Sequence, residues 1–368
     1  MDKTVLFGPF VGELGWELLY WHGWVRRLAK TEFRDYHRIV ASFPGRQPFY
    51  PDAHEFWPHP ESLLSVLRSP RGHITDYWRD GHPRGNELIT RRQFGLVPRL
   101  VNRPIDAEIQ TEDVEPVVRA LLEEYKSQLP ESTEFLVPFD RVDLRDDESG
   151  KTPFDLQLFE RIRPSPAGIS ALRQIVEPSQ RLIAIFPRNR GTRRPDKNWP
   201  RERYEQLIPL LSTSFPDHKV AIFGAPNEAH FDNSTPPGTL DLINVANDVR
   251  LDLQVAALEQ SDLALGSMSG AILFALAAGC PSLTWGWRHD ASLYHAQNVL
   301  GTRFVYHPSL HITPEEVASL ACALIQQPPS AGVGLPDWDS EQFLYGTSLI
   351  RQSRQWISST LSSMVKGR

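Results

Sequence analysis

The sequence predicts an α/β protein made of two parallel-sheet domains. Three observations carry that expectation. Short apolar runs rich in Val, Ile, Leu and Phe recur along the chain, bounded by Gly, Pro or Asp, as buried parallel strands are. Helix-like segments lie between many of them, and such alternation argues for parallel α/β layers. The chain has 368 residues, which at roughly 100–200 residues per domain makes two domains.

The expected strands fall at residues 4–10, 38–43, 134–139, 182–187, 219–224, 242–246, 263–267, 281–286 and 303–306. The expected helices fall at 15–30, 113–128, 166–176, 201–214, 253–260, 270–278 and 314–326. From about Arg181 onward the rhythm is clean. Residues 44–105, full of Pro, His, Arg and Trp, break the rhythm and are assigned no element. The charged, Gly-containing stretch 141–152, followed by Pro164 and Pro166, marks a break. The expected organisation is a first domain over 1–165, a second over 166–335 and a terminal segment over 336–368. That segment carries a helix near 341–365 with Phe343, Leu344, Ile350, Ile357, Leu361 and Met364 as its apolar stripe.

Composition excludes several classes. Hydrophobic residues make up 40% and charged residues 23%, an ordinary globular balance. With 39 basic and 45 acidic side chains the net charge is −6, so no global basic field attracts nucleic acid. Cys280 and Cys322 are the two cysteines, too few for a disulfide framework, and they favour a reducing, cytoplasmic setting. The opening MDKTVLFGPFVGELGWE has no basic segment leading into an apolar one and reads as a first strand. No apolar run reaches the ~20 residues that span a bilayer.

The strongest local signal is RLIAIFPRNRGTRRPDKNWPRERY. Arg181, Arg188, Arg190, Arg193, Arg194, Lys197, Arg201 and Arg203 are offset by only Asp196 and Glu202, a local charge of +6. The segment leaves an apolar strand and enters a helix near Pro200. In open α/β sheets ligands bind beyond the carboxyl ends of strands. Arginine forks and a lysine there suit a diphosphate, although a solvated loop would also carry such charge.

A second segment, SDLALGSMSGAILFALAAGCPSLTWGW, reads strand, small-residue turn, helix, strand. Gly279 is placed to cap the helix and Pro281 to stop it. Ser267, Ser269 and Gly270 let a ligand approach backbone amides at the positive end of a helix. An ordinary capped helix would look the same, and this turn is neither G-x-G-x-x-G nor a Walker loop.

Just past the first strand, GPFVGELGWELLYW places Glu13 in a Gly-flanked loop and Glu17 four residues on. A carboxylate at a strand end is positioned to take a proton from a hydroxyl, while two acids at a helix start also simply favour its dipole. His22 is a weaker base candidate on the same helix. His54, His59, His289 and His295 lack metal-ligand spacing, and Asp146-Asp147-Glu148 reads as a solvated patch, so no metal site and no cofactor is expected.

Taken together, these segments resemble the family 9 glycosyltransferases, the ADP-heptose lipopolysaccharide heptosyltransferases, and GT-B enzymes more broadly. The matching features run in order: the strand at 183–187 and its basic loop, Lys197-Asn198-Trp199-Pro200, the helix at 201–211, the strand at 220–224 with Glu228 after it, Leu251-Asp252-Leu253, the turn at 266–270, and Gly279-Cys280-Pro281. Gly12-Glu13 stands where the family has Gly-Asp. The chain departs from the family at Met268-Ser269-Gly270 (usually Asp-Thr-Gly) and at Leu273 (usually His).

The resemblance implies two Rossmann-like domains facing across a cleft, with a C-terminal helix returning to the first. It implies Glu13 as base, with Glu17 second, of an inverting, metal-independent transfer. The donor, a nucleotide-diphosphate sugar, would be held by Arg188, Arg190, Arg194, Lys197, Glu228, Ser267, Ser269 and Gly270. The acceptor, a glycan or other hydroxyl compound, would lie against the first domain, where Phe43, Phe49, Tyr50, Phe56, Trp57, Arg71, Tyr77 and Trp78 form either a binding surface or a packed insertion. Any membrane contact would come through that acceptor. The rival readings are a nucleotide-sugar epimerase and a non-catalytic nucleotide-sugar-binding protein.

Overall fold

The computed structural model describes residues 3–67, 111–138, 154, 156–191 and 195–326. Its first half comprises β1 (Thr4–Phe7), α1 (Leu14–Tyr20), α2 (His22–Lys30), β2 (His37–Ser42), β3 (Glu55–Pro58), α3 (Glu61–Leu67), α4 (Thr111–Gln128) and β4 (Glu134–Leu136). The second half comprises α5 (Pro166–Arg173), β5 (Arg181–Phe186), α6 (Arg201–Ser214), β6 (His218–Ile222), β7 (Leu240–Asp241), α7 (Asn247–Glu259), β8 (Ser261–Ser267), α8 (Gly270–Ala277), β9 (Ser282–Trp285), α9 (Ala291–Ala296), β10 (Phe304–His307) and α10 (Pro314–Gln326).

Each half has one sheet, and every ladder in both is parallel. The first runs β3-β2-β1-β4 and the second β10-β9-β8-β5-β6-β7. Counted within its own half, the second is the doubly wound order, and it reverses between β5 and β8. The first reverses between β1 and β4. A crevice opens at each reversal, past the carboxyl ends of the strands.

Period-two alternation explains why these runs are strands. On β1, Val5 and Phe7 enter one apolar cluster while Leu6 enters another on the opposite face. On β5, Leu182, Ala184 and Phe186 face one way and Ile183 and Ile185 the other. Both faces are covered, so the strands are apolar throughout.

Two expectations are corrected, and the stretch 44–105 gains elements. The helix expected over 15–30 is two helices, because Trp21 leaves helical geometry (φ −128°, ψ −57°) and stacks on Phe10, ring centres 6.3 Å apart. The strand expected at 242–246 pairs instead at Leu240–Asp241. Asp241 accepts from the amides of Ile243 (2.9 Å) and Asn244 (3.1 Å) and turns the chain out of the ladder. The stretch 44–105 holds a strand, β3, whose terminal proline is tolerated because it lies at a sheet edge. It also holds α3. The helix predicted over 341–365 lies outside the described residues.

The halves are joined by a continuous apolar seam: one cluster contains Phe10, Leu18 and Phe49 from the first half and Met268, Leu273 and Phe274 from the second. The connecting chain runs along it, Leu158 bonding Gly23 O (3.0 Å) and Ile162 bonding Ala277 O (2.9 Å). α1 and α8 meet at two glycines. A Cβ on Gly270 would lie 3.2 Å from Gly15 Cα, so side chains on either would force the halves apart. Among the described residues no helix is long and apolar enough to cross a membrane.

Two buried histidines tie this packing to pH. Burial first, and Arg26 second, lowers His22 to about 4; burial likewise lowers His59 to about 4. Unfolded, both titrate near 6.5. Between those values the unfolded chain binds more protons, so acidification should cost about 2 kcal/mol per histidine by pH 5. The Tm should fall between pH 7 and pH 5, and His59→Gln should flatten that slope.

Candidate functional site

Four consecutive residues after the basic loop build the site, each doing a different job. Trp199 is fully buried, its ring centre 4.8 Å from those of both Tyr204 and Trp285, and its indole N–H donates to Ile312 O (3.3 Å). Pro200 is the N-cap of α6. Asn198 clamps the loop: its Oδ1 accepts from the Arg190 amide (3.1 Å) and from the Arg188 guanidinium, and its Nδ2 donates to Arg190 O (2.9 Å). Lys197 ends a short 3-10 turn, Pro195–Lys197, with its Nζ 3.7 Å from Asp290.

Arg190 reaches across the cleft. One terminal nitrogen donates to Glu13 Oε1 (2.7 Å) in the first half and the other to Glu228 Oε2 (2.9 Å) in the second. Burial opposes the Arg190 charge, but Glu228 first and Glu13 second outweigh it, and its pKa stands above the ordinary arginine value. Glu228 is set by backbone pairing with the same loop: its carbonyl accepts from the Asn189 amide (2.8 Å), and Arg188 bridges Ala229. Arg188 is 8% exposed. Burial, and then its neighbour Arg190, lower it to about 10, so it keeps its charge at neutral pH.

The turn after β8 emerges beside this loop, because Phe186 and Gly266 are register partners. Ser269 is the N-cap of α8, yet its side chain makes no capping bond and its Oγ is buried without a hydrogen-bond partner. Ser267 likewise has its Oγ buried without a partner, but its place in the fold differs. It is a fully buried strand residue whose hydroxyl lies beside that of Tyr204, so only Ser269 stands at the helix entrance. A relay of contacts links this turn to Lys197. The Trp287 amide donates to Met268 Sδ (3.2 Å), Tyr306 donates to Trp287 O (2.7 Å), and the Trp287 indole donates to Asp196 (3.3 Å).

Of the predicted residues, Arg190 meets Glu13 and Glu228 directly, Arg188 joins them through Asn198, Gly270 lies against Gly15 two positions from Glu13, and Lys197 is joined to the turn that holds Ser269 through the Trp287 contacts. Arg194 lies outside the described residues. Glu17 does not share the cleft with Glu13. Glu13 is the N-cap of α1 and 19% exposed, whereas Glu17 points inward with no exposure. Its carboxylate accepts from Ser42 (2.5 Å) and Tyr50 (2.5 Å) and pairs with Arg46. Burial and then Glu17 raise the Tyr50 pKa well above its usual value. His22, also fully buried, is a packing residue. Phe49 and Tyr50 belong to the core, so this part of the aromatic stretch is packed insertion. Phe43 is half-buried, with Arg46 over its ring (4.2 Å) and His59 against it (4.9 Å). Arg71, Tyr77 and Trp78 lie outside the described residues.

Sequence reasoning passed over Asn198 and Asp290. Asn198 had a signal, its place inside Lys197-Asn198-Trp199-Pro200; Asp290 had none, since only folding brings it to Lys197.

This is a two-lobed α/β cleft with Arg188, Arg190 and Glu228 on one wall and Glu13 on the other, the layout of the GT-B fold. No family model and no curated protein matches the chain. Among solved structures it is similar to E. coli ADP-heptose lipopolysaccharide heptosyltransferase II, with 16% identity and a TM-score of 0.50 over 88% of this chain and 98% of that one. It is also similar to a family 9 glycosyltransferase from Veillonella parvula DSM 2008 (13% identity, TM-score 0.49, 88% and 97% covered). A third is E. coli heptosyltransferase WaaC with ADP (12%, 0.46, 87% and 99%). The first likeness shows the fold: two Rossmann-like domains across a cleft, in a chain divergent in sequence.

The Glu17 cluster makes a measurable claim. Tyr50→Phe removes one hydrogen bond to a charged group and should cost about 1.5–3 kcal/mol. Arg46→Ala leaves a buried carboxylate without its cation and should cost more, about 3–5 kcal/mol. Denaturant titration of the two variants checks the order.

Proposed function

We propose that the protein is a glycosyltransferase that moves a sugar from a nucleotide-diphosphate donor to an acceptor hydroxyl, with inversion and without a metal. One observation carries this reading: Arg190, from the loop after β5, meets Glu13, from the loop after β1, across the cleft. A carboxylate thereby faces a cluster of cations at the place where an α/β sheet binds phosphate.

The steps follow from that layout. The donor diphosphate sits among Arg188, Arg190, Lys197 and the amides that open α8 at Gly270, near the Ser269 hydroxyl. The acceptor lies on the first half, near Phe43. Glu13 takes the hydroxyl proton as the acceptor oxygen bonds to the sugar's anomeric carbon. The bond from that carbon to the diphosphate oxygen breaks, and the leaving group keeps the electron pair. A single displacement inverts the anomeric centre. Preorganised cations and amides meet the charge that develops on the diphosphate, the role a metal would otherwise fill. A cytoplasmic location belongs to the same proposal and is supported by the free thiols of Cys280 and Cys322.

Glu13→Gln should lower kcat about 10²- to 10⁴-fold while donor binding persists; an unaltered kcat would remove Glu13 from the mechanism. Thermal shift with ADP, UDP, GDP and dTDP should single out the donor nucleotide, because a ligand of the native state raises its stability. Turnover of the selected sugar donor should survive EDTA; complete loss would overturn metal independence.

A further inference from the structure

The Arg190 guanidinium has two employers that belong to different halves of the molecule. Its terminal nitrogens lie 2.7 Å from Glu13 and 2.9 Å from Glu228. Arg190 and Glu13 are both about four-fifths buried, with side-chain exposures of 21% and 19%. The backbone of Arg190 is clamped by Asn198 at both its amide and its carbonyl. The loop is therefore held through its backbone, while two ion pairs set the direction of the side chain.

We propose that Arg190 is a positioning residue that couples donor binding to the base: it pairs with the Glu13 carboxylate from the second half until a diphosphate draws the guanidinium away, and Glu13 gives up that ion pair as it meets the acceptor hydroxyl. The proposal rests on the glycosyltransferase reading above and adds an order of events to it.

Electrostatics argues for the exchange. Glu13 and Glu228 favour the charge of Arg188 as well as that of Arg190. A diphosphate brought within a few ångströms would face these two carboxylates, and a turn of the Arg190 guanidinium toward phosphate makes that close approach more favourable. Arg188 strengthens the pull. It is a second buried cation on the same loop, and each arginine disfavours the other's charge. An anion between them relieves that repulsion, which the carboxylate of Glu13, tied to the other half, does from one side only.

Release also changes what Glu13 can do. A neighbouring guanidinium stabilises the ionised carboxylate and weakens it as a base. Once Arg190 has turned to phosphate, the same carboxylate accepts a proton more readily. Base strength is then supplied only when donor is present. The seam fixes where the freed group stands, because Gly15 and Gly270 hold the start of α1 against the start of α8.

Coupling of this kind is reciprocal: if diphosphate competes with Glu13 for Arg190, removing the Glu13 charge must strengthen diphosphate binding. The test is isothermal titration of inorganic pyrophosphate into the full chain and its variants. Glu13→Gln should bind pyrophosphate about five- to tenfold more tightly than the wild type. The gain should vanish in the Arg190→Ala background and survive in part with Arg190→Lys. Loss of a nearby negative charge alone predicts the same tightening in the Arg190→Ala background, and that result would overturn the coupling. Glu228→Gln removes the other competing carboxylate and should shift affinity the same way, which keeps the test open if Glu13→Gln folds poorly. Unchanged or weaker binding by both Gln variants would overturn the coupling while leaving the transferase reading intact. Failure of the wild type to transfer sugar from any nucleotide donor would overturn that reading while leaving the pyrophosphate coupling to stand on its own result.

Discussion

The meeting of the two halves centres on a guanidinium held between two carboxylates that the sequence keeps far apart. Arg190 meets Glu13, 177 positions earlier, and Glu228, 38 positions later. A partly buried cation is stable only where opposite charge surrounds it, and here that charge comes from both halves. The contact therefore does two things. It marks the place where the lobes face each other, and it puts a carboxylate of the first half against the basic loop of the second.

The scaffold explains why that meeting happens where it does. Each sheet reverses its strand order once, between β1 and β4 in the first half and between β5 and β8 in the second. Glu13 follows β1, while Arg188 and Arg190 follow β5. Loops at a reversal point splay apart and open a crevice, so both groups project into one space. Trp199 makes the second wall rigid by anchoring the basic loop in the core next to Trp285 and Tyr204. Charged groups that must act at fixed distances gain from such support, since geometry set by packing is not renegotiated at each turnover.

Buried polar groups divide cleanly into two kinds. Glu17, Ser42, Tyr50 and Arg46 form a closed set in which charge and hydrogen-bonding capacity are met internally. Such a set rigidifies α1 against the loop after β2 and leaves nothing over for a ligand. Ser269 is the opposite case. It occupies an N-cap position and yet does not cap, its hydroxyl buried and without a partner. The same chemical class, a polar side chain near a helix start, is structural in one place and poised for an anion in the other.

The sequence by itself determined the α/β class and the sheet strands with strong apolar runs. It determined too that a basic loop and a small-residue turn follow adjacent strands of the second half. These are local properties: hydrophobic periodicity, glycine and proline punctuation, and charge density all act within a few residues. What only the tertiary structure decided is partnership. Glu13 and Glu17 look equivalent in GELGWE, and folding sends one into the cleft and the other into the core. The aromatic stretch looked half like a binding surface, and folding buried Phe49 and Tyr50. Strand β3 and the shifted β7 escaped notice because edge position and an Asp241 side-chain turn, not hydrophobicity, decide them. The physical reason is common to all these cases: which groups a side chain meets depends on contacts 25 to 177 positions away, and no local pattern encodes those.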